Sequence, residues 1–431
     1  MKILIHDYAG HPFQVQLARA LAGRGHEVMH AFATALQTPR GELAPRRDDP
    51  PWLTLQPVEM DPDYARHKYS FRRRRRMEID YGRKVAALVS EAKPHVVLSS
   101  NTPTETQQPI IQAALLNRSR FYFWAQDFYS LAVDRLVRKK IPVVGPLIGG
   151  FYKWLEKGQL RHSDGVVAIT GDFQPIMQEQ FRVPAEKIEV IPNWAPLESL
   201  PVRFKKNPWS LSHGLTEKFV FLYTGTLGMK HNPALLLELA RRHHGDDRVR
   251  VVVVSEGIGA DWLRENVVRD GLTNVLQLPY QPFESLPDML ATGDVLIGVL
   301  EEDAGVFSVP SKILTYLCAQ RPILLAAPEV NLATRTVRAE KAGLTVAPSD
   351  TAGFLQAADT LLRQPTLAAG MARHGRSYAE RSFRIDDIAT RFEAVLGIRS
   401  KPALGSSGRT QPLTGRAGVA ALPGSAVVSV C

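Results

Sequence analysis

Two hydroxyl groups and a cation lie close together at the start of a predicted helix in the last third of the chain. Ser308, Ser311 and Lys312 surround Pro310, which suits a first helical turn because its missing N–H costs nothing there. Free N–H groups at a helix start, together with hydroxyls and a positive charge, favour an anion. The pattern therefore predicts an anion site, with an ordinary capped surface helix as the alternative.

Two further loops in the same half follow predicted strands and carry glycine. The first contains Gly225, Thr226 and Lys230, and the second contains Glu256 and Gly257. Glycine lets the backbone approach a ligand closely, and Lys230 places a cation just before a predicted helix. Such loops are common in α/β proteins, and the second lacks the full dinucleotide pattern G-x-G-x-x-G. Taken together with their two lysines, the three loops predict a phosphate-bearing ligand.

Several familiar catalytic motifs are absent from the sequence. It contains no G-x-x-x-x-G-K-[ST], no G-x-S-x-G and no H-E-x-x-H, which argues against a P-loop ATPase, the common hydrolases and the zinc proteases. Side chains at metal-binding spacing are also missing, so no metal site is predicted. The acidic run 301–303 is interpreted as a solvated turn.

The elements that must position these loops alternate between strands and helices along the chain, which predicts parallel sheets. With 431 residues, the chain is too long for one core and suits two domains. We predict a first domain over residues 1–195, a second over 196–380, a crossover helix over 381–397 and a disordered tail over 398–431. Residues 196–218, which are broken by prolines, would link the domains, and a cleft between the domains would suit a reaction that joins two substrates.

The first domain offers polar residues at the ends of its predicted strands. Gly10 and His11 lie in the loop after the first strand, and Asp127 follows the strand 121–124. Open α/β sheets bind ligands at the carboxyl ends of their strands, so these residues are candidates for ligand contact, with a mere connection as the alternative. Residues 37–57, rich in proline, arginine and aspartate, are predicted to be loop.

Composition indicates a globular protein with a basic surface. The chain is 45% hydrophobic and 22% charged, and its net charge of +10 favours anionic partners such as nucleotides, phosphorylated lipids, membrane surfaces or nucleic acid. Two cysteines provide neither a disulfide framework nor a metal cluster, which favours a reducing, cytoplasmic setting. We expect no secretory signal and no spanning helix, since no run of about 18 apolar residues occurs, so contact with a membrane would be peripheral.

Two basic stretches of the first domain could meet an anionic surface. Arg72–Arg76 is a run of five arginines that is expected to stay solvated, as a solvated face, a nucleic-acid patch or a membrane contact. A helix predicted to begin near Pro146 combines Phe151 and Trp154 with lysines. Such an aromatic stripe usually packs in a core, and membrane contact is the second interpretation.

Four segments carry a recognisable series of motifs. They are residues 10–28 (GHPFQVQLARALAGRGHEV), 191–195 (IPNWA), 223–233 (YTGTLGMKHNP) and 309–322 (VPSKILTYLCAQRP). Over residues 1–397, the series resembles the retaining glycosyltransferases of family 4, in particular the colanic-acid type assigned to bacterial exopolysaccharide synthesis. The resemblance implies the GT-B fold, in which two Rossmann-like parallel-sheet domains face each other across a cleft and C-terminal helices return to the N-terminal domain.

Three positions depart from the pattern of that family. Thr315 stands where the branch has a glutamate expected to hold the donor ribose, and Phe307 where the wider family has a glutamate against the donor sugar. Thr226 replaces the usual phosphate-binding arginine, which leaves Lys230 as the cation of that loop. Thr315 can offer a ribose one hydroxyl, but the two-oxygen grip of a carboxylate is lost.

The resemblance implies transfer of a sugar from a UDP- or GDP-sugar with retention, without a metal or a cofactor. Attack would occur on the same face of the sugar, and the leaving phosphate would take the acceptor proton. Lys230, Lys312 and Asp127 are the candidate catalytic residues, the lysines for the diphosphate and Asp127, beside Gly10 and His11, for the acceptor hydroxyl or the donor sugar. The residues expected to contact the donor are Gly225, Thr226, Glu256, Gly257, Leu278, Tyr280, Ser308, Pro310, Ser311 and Thr315.

The acceptor implied by the resemblance is a saccharide linked to polyprenyl diphosphate at the cytoplasmic face of the plasma membrane. Arg72–Arg76 and the helix from about Pro146 would hold the chain peripherally on the anionic inner face of that membrane. Nucleic acid is not an expected partner, because no recognition module is visible in the sequence.

Two other functions stay open at this point. A nucleotide-sugar 2-epimerase would share the fold and the donor but would need no lipid-facing features. A catalytically weakened scaffold of a polysaccharide assembly would follow from the loss of glutamates at Phe307 and Thr315.

Overall fold

Short apolar runs form the strands of two separate sheets. The computed structural model describes residues 1–35, 41–64, 67, 70–100, 102–300 and 311–398. The first sheet contains β1 (Lys2–Asp7), β2 (Glu27–Ala33), β3 (Leu53–Val58), β4 (Val96–Ser100), β5 (Arg120–Ala125), β6 (Gly165–Ala168) and β7 (Ile188–Val190). The second sheet contains β8 (Phe219–Thr224), β9 (Val249–Val254), β10 (Val275–Leu278), β11 (Val295–Val299), β12 (Ile323–Ala326) and β13 (Gly343–Val346).

Helices connect the strands of both sheets. In the first domain they are α1 (Pro12–Gly23), α2 (Phe71–Ala92), α3 (Thr104–Leu116), α4 (Tyr129–Lys140), α5 (Gly145–His162) and α6 (Phe173–Glu179). In the second domain they are α7 (Pro208–Ser212), α8 (Ala234–Arg242), α9 (Ile258–Arg269), α10 (Leu286–Thr292), α11 (Ser311–Cys318), α12 (Leu332–Ala339), α13 (Thr351–Arg363) and α14 (Pro365–Ser382), followed by α15 (Ile385–Val395). None of the helices within the described ranges is both long and apolar enough to cross a bilayer.

The strand order places a switch point at the centre of each sheet. The first sheet runs β3-β2-β1-β4-β5-β6-β7 and the second runs β10-β9-β8-β11-β12-β13, with all pairs parallel. The chain order therefore reverses between β1 and β4 and again between β8 and β11. Ligands of open parallel sheets bind in the crevice outside the carboxyl ends of the strands at such points. The predicted architecture of two Rossmann-like parallel-sheet domains is confirmed.

The last described helix returns to the first domain. The Phe392 ring of α15 packs edge-on against Trp124 at 4.8 Å and against Trp194 at 6.2 Å, measured between ring centroids. Glu393 forms ion pairs with Arg24 at 2.7 Å and with His26 at 2.9 Å. The return of the C-terminal helices, expected from the resemblance, is thereby confirmed.

Some local predictions need correction. The region predicted as loop over 37–57 contains most of β3. This strand lies at the edge of its sheet and shows little alternation, because only one of its six residues is fully buried. The proline-rich linker over 196–218 contains α7, whose start is capped by Asn207 and Ser210. Apart from Ile398, the predicted disordered tail lies outside the described residues.

The expectation that all five arginines of the basic run stay solvated is wrong for Arg74, whose side chain is half-buried, whereas the other four are exposed. Arg74 forms an ion pair with Glu78 at 3.0 Å, and Arg75 donates a hydrogen bond to Glu105 at 2.7 Å. Both carboxylates are buried, and burial raises the pKa of Glu78 while Arg74 opposes this shift. A buried carboxylate needs a partner, and these two arginines supply one for Glu78 and one for Glu105.

Candidate active site

The two glycine loops of the second domain lie side by side at the carboxyl ends of β8 and β9. The N–H of Gly225 donates to the carbonyl of Val254 at 3.0 Å, and the N–H of Leu227 donates to the carbonyl of Glu256 at 3.2 Å. Gly225 has a φ of 101° and Gly257 a φ of 114°, conformations that side chains strongly disfavour. Glycine at these two positions lets the two loops cross closely.

A tyrosine joins the loop after β10 to the first glycine loop. The hydroxyls of Tyr280 and Thr226 lie 2.9 Å apart, and the N–H of Ser255 donates to the carbonyl of Leu278 at 3.0 Å. The predicted donor residues after β8, β9 and β10 therefore form one continuous edge. The structure brings Gly225, Thr226, Glu256, Gly257, Leu278 and Tyr280 together at that edge.

Lys312, the second residue of α11, reaches the same edge from beneath. Its side chain is only 6% exposed, its Nζ donates to the Tyr223 hydroxyl at 2.8 Å, and Nζ lies 4.0 Å from the centre of the Tyr223 ring. The Tyr223 hydroxyl in turn donates to the carbonyl of Thr226 at 3.0 Å. A chain of hydrogen bonds thus connects the start of α11 to the first glycine loop. Ser311 precedes Lys312, and Thr315 lies one turn further along the helix.

Part of the predicted donor site lies outside the described residues. This applies to Ser308 and Pro310, to Phe307, and to the side chain of Lys230. Their assigned roles stay predictions.

The first domain contributes a compact polar loop after β1. The buried carboxylate of Asp7 accepts hydrogen bonds from the N–H groups of Ala9 and His11, and the Nδ1 atom of His11 lies 3.1 Å from Asp7 Oδ1. Gly10 has a φ of 78°, which permits the tight turn between them. Burial alone would raise the pKa of Asp7, but His11, together with His30 and the backbone N–H of Gly10, outweighs it, and the pKa lies below the ordinary value.

Asp127 follows β5, two strands away from Asp7 in the sheet. Its side chain is open to solvent but is set deep among protein atoms, and this surrounding raises its pKa while His11 opposes the shift. The neighbouring Gln126 exchanges hydrogen bonds with Asn193 through their side-chain amides, the shorter at 2.6 Å. The strand ends of the first domain therefore present amide, carboxylate and imidazole groups together.

The strand ends of the first domain face α11 across a cavity of about 120 Å³. Thr170 and Asn193 line it on one side, and Ile313 and Leu314 line it on the other. Below it, Arg335 of α12 forms an ion pair with Asp172 of the first domain. A gap between the two halves, with the start of α11 on its border, is thus present.

Three residues of this arrangement were missed by the sequence analysis. Asp7 could have been found, because a carboxylate at a strand end precedes a histidine by four residues. Tyr223 and Tyr316 could not, since each occupies an ordinary core-facing position of its strand or helix. Tyr316 is fully buried, its hydroxyl accepts a hydrogen bond from the Thr224 N–H at 3.1 Å, and burial raises its pKa to about 12.

Within the described ranges, no group of three histidine, cysteine, aspartate or glutamate side chains is arranged to hold a metal ion.

Two family models match the two domains of the chain. Residues 11–194 match the glycosyl transferase 4-like domain, and residues 218–364 match the glycosyl transferases group 1 domain. The chain is a glycosyltransferase of the GT-B fold. The matched boundaries follow the two sheets.

Curated relatives agree with this glycosyltransferase assignment. The chain is 24% identical over 241 residues to WcaI of Escherichia coli K12, named as a candidate colanic acid biosynthesis glycosyl transferase, a match covering 55% of the chain and 58% of the relative. It is also 24% identical over 238 residues to the alpha-D-kanosaminyltransferase of Streptomyces kanamyceticus, covering 52% and 57% respectively. The chain thus spans a little over half the length of these relatives. Both are named as transferases, which favours transfer over epimerisation and over a scaffold without activity.

Solved structures agree with the fold of the glycosyltransferase. HepE of Anabaena, crystallised with UDP and glucose, superposes with a TM-score of 0.66 at 14% identity, covering 92% of this chain and 99% of that one. WaaG, a glycosyltransferase involved in lipopolysaccharide biosynthesis, superposes with a TM-score of 0.65 at 14% identity, covering 91% and 99%.

Proposed function

We propose that this glycosyltransferase moves a sugar from a UDP- or GDP-sugar to a lipid-linked saccharide in bacterial exopolysaccharide synthesis, without a metal and with retention. The observation that carries the proposal is the hydrogen-bonded chain from Lys312 through Tyr223 to Thr226. It ties a cation and the start of α11 to a glycine loop at the switch point of the second sheet. That is where a nucleoside diphosphate would be held.

Departure of the nucleoside diphosphate leaves negative charge on its phosphates. Donors and cations fixed in advance stabilise such charge most effectively, because they need no rearrangement during the reaction. Lys312 is fixed by burial and by Tyr223, and the backbone of Gly225 and Gly257 is fixed by the contact between their loops. We assign the diphosphate to these groups and to Lys230, and the nucleotide base to Leu278 and Tyr280.

The remaining donor contacts follow from this placement. Ser311 and Thr315 would offer hydroxyls along α11, Thr226 and Glu256 would border the donor sugar, and Ser308 and Pro310 would complete the helix start. A retaining outcome is supported by the resemblance to family 4, and the colanic-acid type by the relative WcaI.

A nucleotide-binding measurement tests the donor assignment. UDP and GDP should raise the melting temperature of the purified full chain, whereas AMP should not. Lys312→Met should abolish the rise while Lys341→Met, which replaces an exposed lysine beside β13, should leave it unchanged. A wild-type chain that responds to none of the diphosphates would contradict the assignment. Product stereochemistry, read by NMR of the anomeric proton, tests retention.

The acceptor assignment rests on an exposed surface of the first domain. We call this the α4–α5 surface; it consists of exposed apolar residues on the two helices and their connection. Its members include Leu136, Ile141, Val143, Val144, Leu147, Phe151 and Trp154. Val143 is 87% exposed, Leu147 75% and Trp154 69%, and exposed basic residues surround them, among them Arg135, Lys139 and Lys140. Large apolar side chains among cations are typical of a protein that lies on an anionic membrane.

The basic run of α2 borders the same surface. Arg74 donates to the hydroxyl of Tyr129 at the start of α4, and Tyr152 of α5 donates at 2.8 Å to Glu105, the partner of Arg75. Arg72, Arg73 and Arg76 stay exposed beside these contacts. We propose that these three arginines and the α4–α5 surface together hold the enzyme peripherally on the inner face of the plasma membrane, where a polyprenyl-diphosphate-linked acceptor would be presented.

Vesicle co-sedimentation tests this contact. Leu147→Ser with Trp154→Ser should weaken binding to phosphatidylglycerol-containing vesicles by about tenfold or more, since each large apolar side chain contributes about 1.5–3 kcal/mol when fully buried. Phe204→Ser, which removes an 87% exposed ring from the interdomain segment, is the matched control. Arg72→Ser, Arg73→Ser and Arg76→Ser combined should remove the preference for anionic over neutral vesicles. Equal binding of all variants would reject the membrane contact.

A further inference from the structure

A groove of about 1030 Å³ runs along the last strand of the second sheet, away from the candidate active site. We call it the β13 groove; it is bordered by residues 343–345 of β13, by the end of α12, and by the end of α13 with the start of α14. These strand residues include the amino end of β13, whereas the loops of the candidate active site follow the carboxyl ends of their strands. The β13 groove is therefore separate from the edge assigned to the nucleotide.

The strand that borders the groove has a neighbour on one side. β13 stands at the end of the strand order, next to β12. The carbonyls of Ala342 and Val346 accept backbone hydrogen bonds from the β12 side, at 3.2 Å and 3.1 Å. Because the backbone groups of a strand point to its two sides alternately, the N–H and C=O groups of Gly343 and Thr345 point to the open side. An edge of this kind offers donors and acceptors to a further extended segment.

The β13 groove combines apolar and basic side chains. Leu344, Leu367 and Met371 supply apolar surface, and Leu367 is 39% exposed. Aspartate and glutamate are absent from its described lining, whose basic members are all exposed, namely Arg338, Lys341, Arg363 and His374. The charge of the groove therefore favours an acidic ligand, and its apolar surface favours one that also carries apolar side chains.

Two of these arginines also meet carboxylates that lie outside the groove. Glu329 pairs with Arg338, and Asp359 lies 3.9 Å from Arg363. Arg338 is 48% exposed and Arg363 is 74% exposed, and ion pairs at such sites contribute about 1 kcal/mol or less. Both arginines therefore remain able to attract an acidic ligand.

Charge disfavours two occupants that the protein itself could supply. The segment 399–431 contains no aspartate or glutamate, and its charged side chains are all basic: Arg399, Lys401, Arg409 and Arg416. It would bring positive charge to a positive groove. A second copy of the chain, paired through β13, would place two basic borders opposite each other, and like charges across a strand pair are destabilising. A partner with acidic side chains avoids both penalties.

We propose that the β13 groove binds an extended, acidic segment of another protein, which joins the second sheet as a strand beside β13. Main-chain hydrogen bonds to Gly343 and Thr345 would hold the segment, and its alternate side chains would meet the basic border and the apolar surface. β13 has four residues, which span about 13 Å at roughly 3.3 Å per residue, so about four to six residues of the partner would be bound. Such a contact would attach the enzyme to a partner while the gap between its domains stays open.

Fluorescence anisotropy with the full chain tests this binding mode. The probe is a labelled hexapeptide with blocked ends, in which glutamate alternates with valine. It should bind at least about tenfold more tightly than a peptide in which lysine alternates with valine. A copy of the acidic peptide with every backbone nitrogen methylated keeps its charge but cannot donate to the strand edge, and it should also bind about tenfold more weakly.

Charge reversal in the groove should exchange the preference between the two peptides. Lys341→Glu combined with Arg363→Glu should bind the lysine peptide more tightly than the glutamate peptide, a gain that a merely misfolded variant would not show. Lys206→Glu combined with Arg264→Glu is the matched control, because it reverses one exposed lysine and one exposed arginine elsewhere in the second domain. The control should keep the wild-type preference.

Several results would overturn the proposal. Failure of both peptides to bind would mean that the cations only protect the edge from pairing. Binding that ignores methylation or charge reversal would exclude strand addition in this groove, and displacement of the peptide by a single-stranded oligonucleotide at lower concentration would assign the groove to nucleic acid.

Hydrogen exchange of the Gly343 and Thr345 amides, followed by NMR, completes the test. Both should exchange rapidly in the free full chain and slow by about tenfold or more when the glutamate peptide is bound. Slow exchange in the free chain would overturn the proposal. It would assign the edge to a second copy if the protection increases with protein concentration, and to residues 399–431 if it does not.

Discussion

The carboxyl ends of the strands carry different kinds of polar groups in the two domains. At the edge of the first sheet, the described groups include ones that can gain or lose a proton, namely Asp7, His11 and Asp127. At the edge of the second sheet, the described groups are chiefly glycine backbone and hydroxyls, with the buried cation of Lys312 held against Tyr223. One edge thus carries groups that can titrate, and the other carries a fixed cation and backbone dipoles.

This difference fits a reaction between two unlike substrates. A diphosphate is anionic before and after transfer, so its site benefits from fixed dipoles and a permanent cation. An acceptor hydroxyl must lose a proton, so its site benefits from groups that titrate. The predictions below test whether these two properties really are separated between the domains.

The largest effect is expected from Lys312→Met. Loss of the buried cation should lower kcat/KM for the nucleotide sugar by about 10²-fold or more, the range seen when a fixed donor to developing charge is removed. The size of the effect should be the same at all pH values from 6 to 8, because the second edge is assigned no titrating role. A strongly pH-dependent effect would show that the second edge also depends on a titrating group. Tyr223→Phe keeps the aromatic ring and should lower kcat/KM less than Lys312→Met does.

A smaller loss is expected from Gly257→Ala. Its φ of 114° is unfavourable for alanine, and the new Cβ would lie 3.1 Å from the carbonyl oxygen of Leu227. We expect a stability loss of about 1–3 kcal/mol in chemical denaturation, together with weaker UDP binding. Gly245→Ala is the control, because its Cβ would meet no atom within 4 Å. If the two variants were equally stable, the backbone conformation of Gly257 would not contribute to the stability of the second edge.

A buried carboxylate of the first domain, Glu156, should make the stability of the protein depend on pH. Burial raises the pKa of Glu156 on α5 to about 7, although Ser130 on α4 donates to it, and Asp127 adds to the rise. Between pH 4.5 and about 7 the unfolded chain loses this proton while the folded chain keeps it, so the free energy of unfolding falls as pH rises. Glu156→Gln should lack this fall, whereas Glu186→Gln, at an exposed site, should retain it. Parallel wild-type and Glu156→Gln curves would contradict the assignment.

The smallest effect is expected at the contact between the two edges. Arg335 and Asp172 are partly exposed, at 43% and 26% of their side chains, so their ion pair should contribute less than about 1 kcal/mol. Arg335→Ala should change denaturation only slightly and leave UDP affinity unaltered. A double-mutant cycle with Asp172→Asn isolates the pair, and a coupling above about 2 kcal/mol would mean that the two domains are locked together by it.

The alternation of elements and the deeply buried strands could be predicted from the sequence. The strand predicted over 121–124 forms most of β5, because a continuous apolar stretch of this length in an α/β chain usually becomes a buried strand. By contrast, β3 escaped prediction because edge strands are half-exposed and Pro57 is tolerated there. Helix α3 escaped because Pro109 interrupts its pattern.

The candidate site was predictable only where its signal is local. Glycine loops after strands are visible in a short window, and so is the start of α11. The contact of Lys312 with Tyr223 joins residues 89 positions apart, and no local pattern announces it. Likewise, the sequence does not reveal that Arg75 meets its carboxylate partner, Glu105, 30 positions away, across the packing of α2 on α3.

The packing of Phe392 against Trp124 and Trp194 has a consequence for how the protein is made. All three rings are almost completely shielded from water, and Phe392 is synthesised well after the two tryptophans. When only residues 1–195 have been synthesised, the indole rings of Trp124 and Trp194 are not yet covered by Phe392. Until α15 has been synthesised, the amino-terminal half is therefore expected to need chaperones. A premature stop codon before α15, although it lies past every proposed catalytic residue, should still yield an insoluble product.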